Sequence, residues 1–294
     1  MKRVKIHSFF RKHGSAYLFI APFFVLFFVF QLFPMVWSAV LSFHSWDGLG
    51  AQKFIGWQNY QMILRDSVFI TSFRNTFFYW LFGLTVTLVF SMILALLLNS
   101  NSLKGRGTFK TLTFLPYVCA SVAMGLIFNM LFDYNAGLIN ECVKLFGGKP
   151  VKWLTSTELS CIPPLVLYVF RSVPWYMNIL YSGLLNIPAD LYEAATVDGA
   201  GSMVKFFRIT IPSLGNILVF CMLTLTVSAW QIFTEPYLMP GPASSNISIS
   251  QYLYNSAFSM FKMGYASAIG YILTLILLVF SLIQFRIMKR TGEA

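Results

Sequence analysis

Six long apolar segments constrain this chain more than any other feature of its sequence. A helix needs about 20 mostly apolar residues to cross the hydrocarbon core of a bilayer, and each segment meets that length. Only 11% of the residues are charged, against roughly 25% in soluble domains, so one soluble core could not bury the apolar surface. We therefore predict an all-α integral membrane protein with about six transmembrane helices, which cover 15–42, 71–99, 108–132, 160–184, 213–239 and 264–288.

Positive charge is distributed unevenly among the connecting segments. Most of the 21 lysines and arginines lie in the N-terminal tail, in 100–107, in 185–212 and in the C-terminal tail. Cytoplasmic loops of membrane proteins carry such an excess, so both termini and the long loop 186–212 are predicted to be cytoplasmic. Because these charges flank apolar segments, we attribute the net charge of +11 to membrane orientation and predict no nucleic-acid binding.

The connector 133–159 is predicted to be ordered. Apolar residues between Leu138 and Leu145 indicate a short surface helix that ends at Gly147 and Gly148. Two of the four cysteines, Cys142 and Cys161, lie in or next to this connector. Sequence spacing does not set the distance between their Cα atoms, so two free thiols and one disulfide both remain open.

The motifs of membrane enzymes and of nucleotide binding are missing from the sequence. The three histidines all precede the second apolar segment, and neither HExxH nor GxxxxGK[ST] occurs. We predict no catalytic residue, no metal site and no cofactor bound by this chain. Energy for transport would then come from a partner or from an ion gradient. A stand-alone secondary carrier and a membrane-embedded enzyme remain as alternatives.

Two charged residues, Arg171 and Glu235, fall inside the fourth and fifth apolar segments. Charges are costly in lipid and usually face a bundle interior or a wet cavity. Aromatic and amide side chains lie close to them in sequence, and such groups suit the apolar faces and hydroxyl edges of sugars. The candidate translocation path comprises Arg171, Trp175, Asn178, Trp230, Gln231 and Glu235. The alternatives are a structural ion pair and ordinary aromatic packing between helices.

The loop sequence NIPADLYEAATVDGAGSMVKFFRITIP predicts a helix, a tight turn and a second helix. Pro188 suits the first turn of a helix, and the carboxylates of Asp190 and Glu193 favour its positive end. Gly199 and Gly201 interrupt the helix. One hypothesis is an amphipathic hairpin that rests in lipid headgroups. The small alanines before the turn favour docking to a partner protein instead, since lipid does not reward small side chains.

The same loop resembles the EAA signature of bacterial ABC-importer permeases. That signature consists of Glu-Ala-Ala, three residues, Gly, nine residues, Ile, one residue, Leu and Pro. The chain follows it with one departure, Ile211 where Leu is usual; the matching residues are Glu193, Ala194, Ala195, Gly199, Ile209 and Pro212. The flanking GLLNIPADLYEAA and QIFTEPYLMPGP are similar to stretches of the carbohydrate-uptake branch, although the glycine run that usually ends the second is eroded here.

The resemblance covers essentially the whole chain and implies a MetI-like permease subunit with three parts. They are 1–70 with the first transmembrane helix, a permease core at 71–285 and a cytoplasmic tail at 286–294. It further implies an importer for a sugar, with a polyol or glycerol phosphate as alternative. The residues it implies for coupling to the ATPase are Glu193, Ala194, Ala195, Asp198, Gly199, Ile209 and Pro212.

The implied partners are a second permease, in many cases a related chain that forms a heterodimer, two ATPase subunits and an extracytoplasmic solute-binding protein. ATP and Mg²⁺ would be used by the ATPase subunits. The implied location is the cell membrane.

Overall fold

A computed structural model describes residues 17–100 and 103–292, with side chains up to Arg286. It is almost entirely helical. In chain order the elements are α1 (Tyr17–Leu41), β1 (His44–Ser45), β2 (Lys53–Phe54), α2 (Gln58–Arg65), α3 (Ser67–Asn99), α4 (Arg106–Val118), α5 (Ser121–Leu131), α6 (Leu138–Leu145), α7 (Ile162–Leu184), α8 (Ala189–Val197), α9 (Ser202–Lys205), α10 (Ile211–Ser213), α11 (Gly215–Trp230), α12 (Thr234–Leu238), α13 (Ile249–Tyr254) and α14 (Met263–Gly292).

Short stretches of wider or tighter helix interrupt these elements. Three segments have π-helical hydrogen bonding, Phe28–Leu32, Phe206–Thr210 and Asn255–Ser259, and Pro242–Ser244 forms a single 3₁₀ turn. A π-helical turn carries one extra residue per turn and occurs frequently at functional sites.

The chain contains two compact units. Among the described residues, the first consists of 17–63 and 256–271, and the second of 64–100, 103–255 and 272–292. In the first unit, β1 and β2 pair antiparallel, with His44 opposite Phe54. The buried amide of Asn59 donates to the carbonyls of Ser42 (2.8 Å) and His44 (3.0 Å). A Cβ at Gly264 would lie 1.9 Å from the carbonyl oxygen of His44, so only glycine permits this close approach.

The second unit is organised around the contact between α3 and α7. The carboxylate of Asp66 begins α3 by accepting a hydrogen bond from the backbone nitrogen of Val68 (2.8 Å), as an N-cap does. At the centre, Gly83 lets the ring of Tyr168 approach, since a Cβ there would lie 3.0 Å from that ring. The Ser91 hydroxyl donates to the carbonyl of Val173 (3.0 Å).

The predicted all-helical membrane fold is confirmed, with corrections to individual segments. Among the described residues, four helices are long and apolar enough to span a membrane, or five if the bent pair α4–α5 counts as one span. The fourth predicted segment, 160–184, forms the 23-residue α7. This helix carries Arg171 and three prolines, which is why it is less apolar than the others.

Two of the predicted spans are not continuous helices. Segment 108–132 breaks at Cys119–Ala120, and its two halves are bent by 93°; Pro116, one turn earlier, removes a helical hydrogen bond. Segment 213–239 breaks between Trp230 and Thr234. The third and fifth predicted segments are thus each divided between shorter helices.

The short helix predicted in the connector 133–159 is confirmed as α6. Gly147 follows it with φ of +79°, the left-handed conformation that ends many helices. The side chain of Asn140 fixes the loop: its nitrogen donates to the carbonyl of Val151 (3.0 Å), and its oxygen accepts from the indole of Trp153 (3.0 Å). All four cysteines lie within the described residues and are free thiols, so the Cys142–Cys161 disulfide is not formed.

Candidate functional site

A pocket of about 340 Å³ lies in the second unit, beside the break between α11 and α12. Its walls come from the middle of α7, from the end of α4 and from the broken segment itself. The lining residues are Tyr117, Tyr168, Arg171, Ser172, Trp175, Tyr176, Ser228, Gln231, Ile232, Phe233, Thr234 and Glu235. An interrupted helix that exposes backbone inside a membrane is tolerated where it lines a cavity or is covered by protein.

Arg171 and Glu235 form an ion pair in the wall of this pocket. The Nη1 atom of Arg171 lies 3.1 Å from Oε1 of Glu235, and their side chains are 22% and 9% exposed. The Nε atom of Arg171 is buried and has no hydrogen-bond partner among the described residues. Arg171 and Glu235 thus form the structural pair considered as an alternative to a translocation path, and the same two residues line the pocket.

Aromatic surface forms another part of the pocket wall. Trp175 is 43% exposed, and its ring stacks on that of Tyr117 at 5.1 Å between centroids and 18° between planes. Tyr117 was missed by the sequence analysis, although it follows Pro116 directly at the break of a span. Gln231, the first residue after α11, also lines the pocket.

Two residues of the predicted path do not line the pocket. The Trp230 side chain is fully buried and packs against Phe73 and Phe280, with ring centroids 5.6 and 5.5 Å apart. Asn178 donates its amide to the carbonyl of Pro174 within α7 (3.1 Å). Trp230 therefore packs between helices, which was the alternative to a place on the path. The structure brings the other four predicted residues together in the pocket wall, namely Arg171, Trp175, Gln231 and Glu235.

A network of buried polar side chains fixes the backbone of 245–247, which follows the pocket-lining residues in the sequence. Asn246 is 1% exposed and donates to the carbonyl of Ser160 (3.1 Å). The amide of Asn75 donates to the carbonyls of Ser245 (2.7 Å) and Ile247 (3.0 Å). Buried backbone outside helices and strands needs such hydrogen-bond partners, because an unpaired buried carbonyl costs free energy. No sequence pattern indicated these asparagines, because Ser160, Ser245 and Ile247 each lie more than 80 residues along the chain from the asparagine to which they bond.

Ser248 fixes the broken segment directly. Its hydroxyl donates to the carbonyl of Ile232 (2.6 Å) and accepts from the backbone nitrogen of Gln251 (3.2 Å), which caps α13.

Replacing Ser248 with alanine is expected to lower the free energy of unfolding by about 2 kcal/mol, since it leaves a buried carbonyl unpaired and removes a cap. Thermal unfolding in detergent checks this. Ser182→Ala, which loses a bond within its own helix, is the control, and equal melting of the two variants would contradict the role of Ser248.

The loop 186–212 forms the predicted helix, turn and second helix. Helix α8 ends in a Schellman motif, in which Ala200 N donates to Ala195 O (2.8 Å) and Gly199 N donates to Thr196 O (3.0 Å). Gly199 has φ of +74°, a conformation that costs residues with a Cβ. Of the predicted coupling residues, Ala195 and Ile209 are half-buried; the others, Glu193, Ala194, Asp198, Gly199 and Pro212, are exposed.

Comparison with known proteins places the chain in a family. The model of the "Binding-protein-dependent transport system inner membrane component" family matches residues 87–292. The arabinooligosaccharides transport system permease protein AraP of Bacillus subtilis is 33% identical, over 95% of this chain and 90% of that protein. The lactose transport system permease protein LacF of Rhizobium radiobacter is 32% identical, over 92% and 93%.

A solved structure shares the fold. It belongs to a bacterial ABC transporter involved in the import of the acidic polysaccharide alginate; the TM-score is 0.87 and the identity 21%, over 97% of this chain and 99% of that one. The family predicted from the loop sequence is confirmed by the family match over 87–292 and by the relatives at 33% and 32% identity. With four or five membrane-spanning helices among its described residues and a family match over 87–292, this multi-pass membrane protein belongs to the inner membrane components of binding-protein-dependent transport systems.

Proposed function

We propose that this chain is the non-catalytic transmembrane subunit of an ATP-driven importer and forms half of the translocation path for a neutral mono- or oligosaccharide. The observation that carries the proposal is the pocket between α7 and the broken α11–α12 segment. Its volume of about 340 Å³ lies within the range of small-molecule sites, roughly 300–1,000 Å³.

The charges of the pocket support a neutral substrate. Its one cation among the lining residues, Arg171, is already paired with its one anion, Glu235. A phosphorylated solute such as glycerol phosphate would need unpaired positive charge, and the pocket offers none among these residues. The aromatic faces of Trp175 and Tyr117 and the amide of Gln231 suit the CH faces and hydroxyls of a sugar. The names of the relatives, which refer to arabinooligosaccharides and lactose, agree with this class.

The coupling loop supports an external source of energy. No phosphate-binding loop occurs in the sequence, so ATP and Mg²⁺ would be bound by separate ATPase subunits and no cofactor by this chain. Exposed apolar side chains surround the corner at Gly199: Val197 is 88% exposed, Met203 73% and Phe207 64%. We propose that this corner faces the cytoplasm and docks on an ATPase. Closure of the ATPases would then shift the helices on either side of the loop.

The complete importer would hold further subunits. The family is defined by its dependence on a binding protein, and we propose an extracytoplasmic solute-binding protein as the source of substrate. Because one chain supplies one wall of a path, a second permease, related in sequence, would supply the other. Two ATPase subunits would match two coupling loops.

Co-purification and vesicle transport test this function together. The chain is expected to co-purify from the membrane with an ATPase and a sister permease. Uptake of a radiolabelled sugar, with lactose and an arabinooligosaccharide as probes, should require ATP inside reconstituted vesicles and the binding protein on the opposite side. Uptake by this chain alone without ATP would identify a secondary carrier and overturn the proposal.

Trp175 provides a test of the pocket itself. Trp175→Ala removes an aromatic face from the pocket wall. An aromatic contact is worth about 1 kcal/mol, so the maximal rate of sugar uptake at saturating loaded binding protein should fall roughly fivefold. Trp37→Ala is the matched control, since Trp37 is a similarly exposed tryptophan (41%) in α1 and does not line the pocket. If both variants transport like wild type, the pocket is not on the path.

A further inference from the structure

Four side chains connect the two helical arms of the loop 186–212. The Thr196 hydroxyl lies 2.6 Å from the carbonyl oxygen of Tyr192, and Nζ of Lys205 lies 2.7 Å from Oγ1 of Thr196. On the other side of the loop, the Tyr192 hydroxyl lies 2.9 Å from Oγ1 of Thr210, which lies 3.4 Å from the carbonyl oxygen of Lys205. Tyr192, Thr196, Lys205 and Thr210 thus close a ring, which we call the loop clamp.

The protons of the loop clamp can all be placed without conflict. Lys205 donates to the Thr196 hydroxyl, which donates to the carbonyl of Tyr192. The phenol of Tyr192 donates to the Thr210 hydroxyl, which donates to the carbonyl of Lys205. Each threonine hydroxyl therefore accepts one hydrogen bond and donates one, within the capacity of the group. The four contacts can exist at the same time.

The backbone around Thr210 is shaped to bring this residue into the clamp. The segment Phe206–Thr210 is π-helical, and the hydroxyl of Thr210 reaches the carbonyl five residues earlier. Thr210 is only 3% exposed, whereas most of the loop around it is exposed. The clamp therefore ties the exposed α8 to a point that is buried at the base of the second arm.

We infer that Tyr192, Thr196, Lys205 and Thr210 are positioning residues, which make the two arms of the loop move as one rigid body. The inference rests on the proposed function, in which a force on the corner at Gly199 must reach the membrane helices. The Schellman motif fixes only the end of α8. Without side-chain links, Gly199, Ala200 and Gly201 would form a hinge, because glycine tolerates many backbone conformations, and a push on the corner would bend the loop.

Amide hydrogen exchange tests the rigidity in the chain alone. The full-length protein in lipid nanodiscs is compared with Tyr192→Phe, which keeps the ring and removes the hydroxyl. Exchange of the α8 amides should become about fivefold faster, the change expected from losing one net hydrogen bond. Tyr134→Phe is the control, since the described residues give the Tyr134 hydroxyl no hydrogen bond. Unchanged exchange in Tyr192→Phe would overturn the clamp.

The ratio of ATP hydrolysed to sugar transported tests the consequence for coupling. In the reconstituted importer, Thr210→Val should raise this ratio severalfold, while Thr210→Ser, which keeps the hydroxyl, should restore it. A merely structural residue would change the amount of folded protein and leave the ratio constant, so a constant ratio in Thr210→Val overturns the inference. If the wild-type complex shows no ATP hydrolysis stimulated by the binding protein, the proposed function fails, and hydrogen exchange alone decides on the clamp.

Discussion

Arg171→Ala is expected to destabilise the protein by about 3–5 kcal/mol, because it leaves the carboxylate of Glu235 buried without its partner. The Glu235 side chain is only 9% exposed, and its Oε1 atom accepts from Arg171 at 3.1 Å. The loss should appear as a lower yield of assembled protein and a lower melting temperature in detergent. Selectivity among sugars should stay unchanged in the fraction that assembles.

A second substitution separates the two roles of the pair. Arg171→Ala combined with Glu235→Gln removes the buried charge and should recover a large part of the lost stability. Arg74→Ala is the matched control, because Arg74 is an exposed arginine in the spanning helix α3; it should melt close to wild type. If Arg171→Ala folds and assembles normally but transports a different range of sugars, the pair serves recognition and the structural role is wrong.

Gly199→Trp is expected to abolish most uptake while the membrane helices remain folded. Apart from its chain neighbours, no atom of the described residues lies within 4 Å of a Cβ at this position, so an indole would project from the corner into the space of a docked ATPase. A loss of tenfold or more in uptake and in stimulated ATP hydrolysis corresponds to at least ~1.4 kcal/mol of docking free energy. Co-purification with the ATPase measures docking directly, and normal uptake together with normal ATP hydrolysis would contradict the docking role.

Two smaller substitutions separate bulk from backbone strain in this experiment. Gly199→Ala places a Cβ at φ of +74°, which costs about 1–2 kcal/mol locally, without adding a large side chain. Gly201→Ala introduces the same methyl group in the same loop at φ of −70°, where it is unstrained. We expect Gly201→Ala to transport like wild type and Gly199→Ala to lie between it and Gly199→Trp. If the loop instead rests in lipid headgroups, none of the three variants should affect co-purification with the ATPase.

The helical elements could be predicted from sequence because their causes are local. The apolar segment 71–99 corresponds to α3, Ser67–Asn99, since length and hydrophobicity alone decide whether a stretch can span a bilayer. Gly199 could be placed at the turn because a left-handed residue after a helix favours glycine. The break after Trp230 was missed, since it depends on which carbonyls find partners elsewhere in the fold.

Only part of the candidate site could be predicted from the sequence. Arg171 and Glu235 could be singled out from the sequence, because a charge in an apolar segment needs a reason to be there. Whether two such charges meet depends on how the helices that carry them pack, because Arg171 and Glu235 lie 64 residues apart in the sequence. Trp175 and Trp230 have equal chemistry, yet one faces the pocket and the other packs fully buried against Phe73 and Phe280.

The helical fold, the membrane location and the patterned loop of the ABC-importer permease type could all be predicted from the amino-acid sequence. These properties follow from hydrophobic length, charge and glycine positions, which act within about 20 residues. Three features depend on the packing of the folded chain: the pair of Arg171 and Glu235, the break of α11 beside a pocket, and the hydrogen bond between Tyr192 and Thr210 across the loop. The physical reason is that hydrogen bonds and ion pairs require distances of about 3 Å, and those distances between remote residues are set by packing.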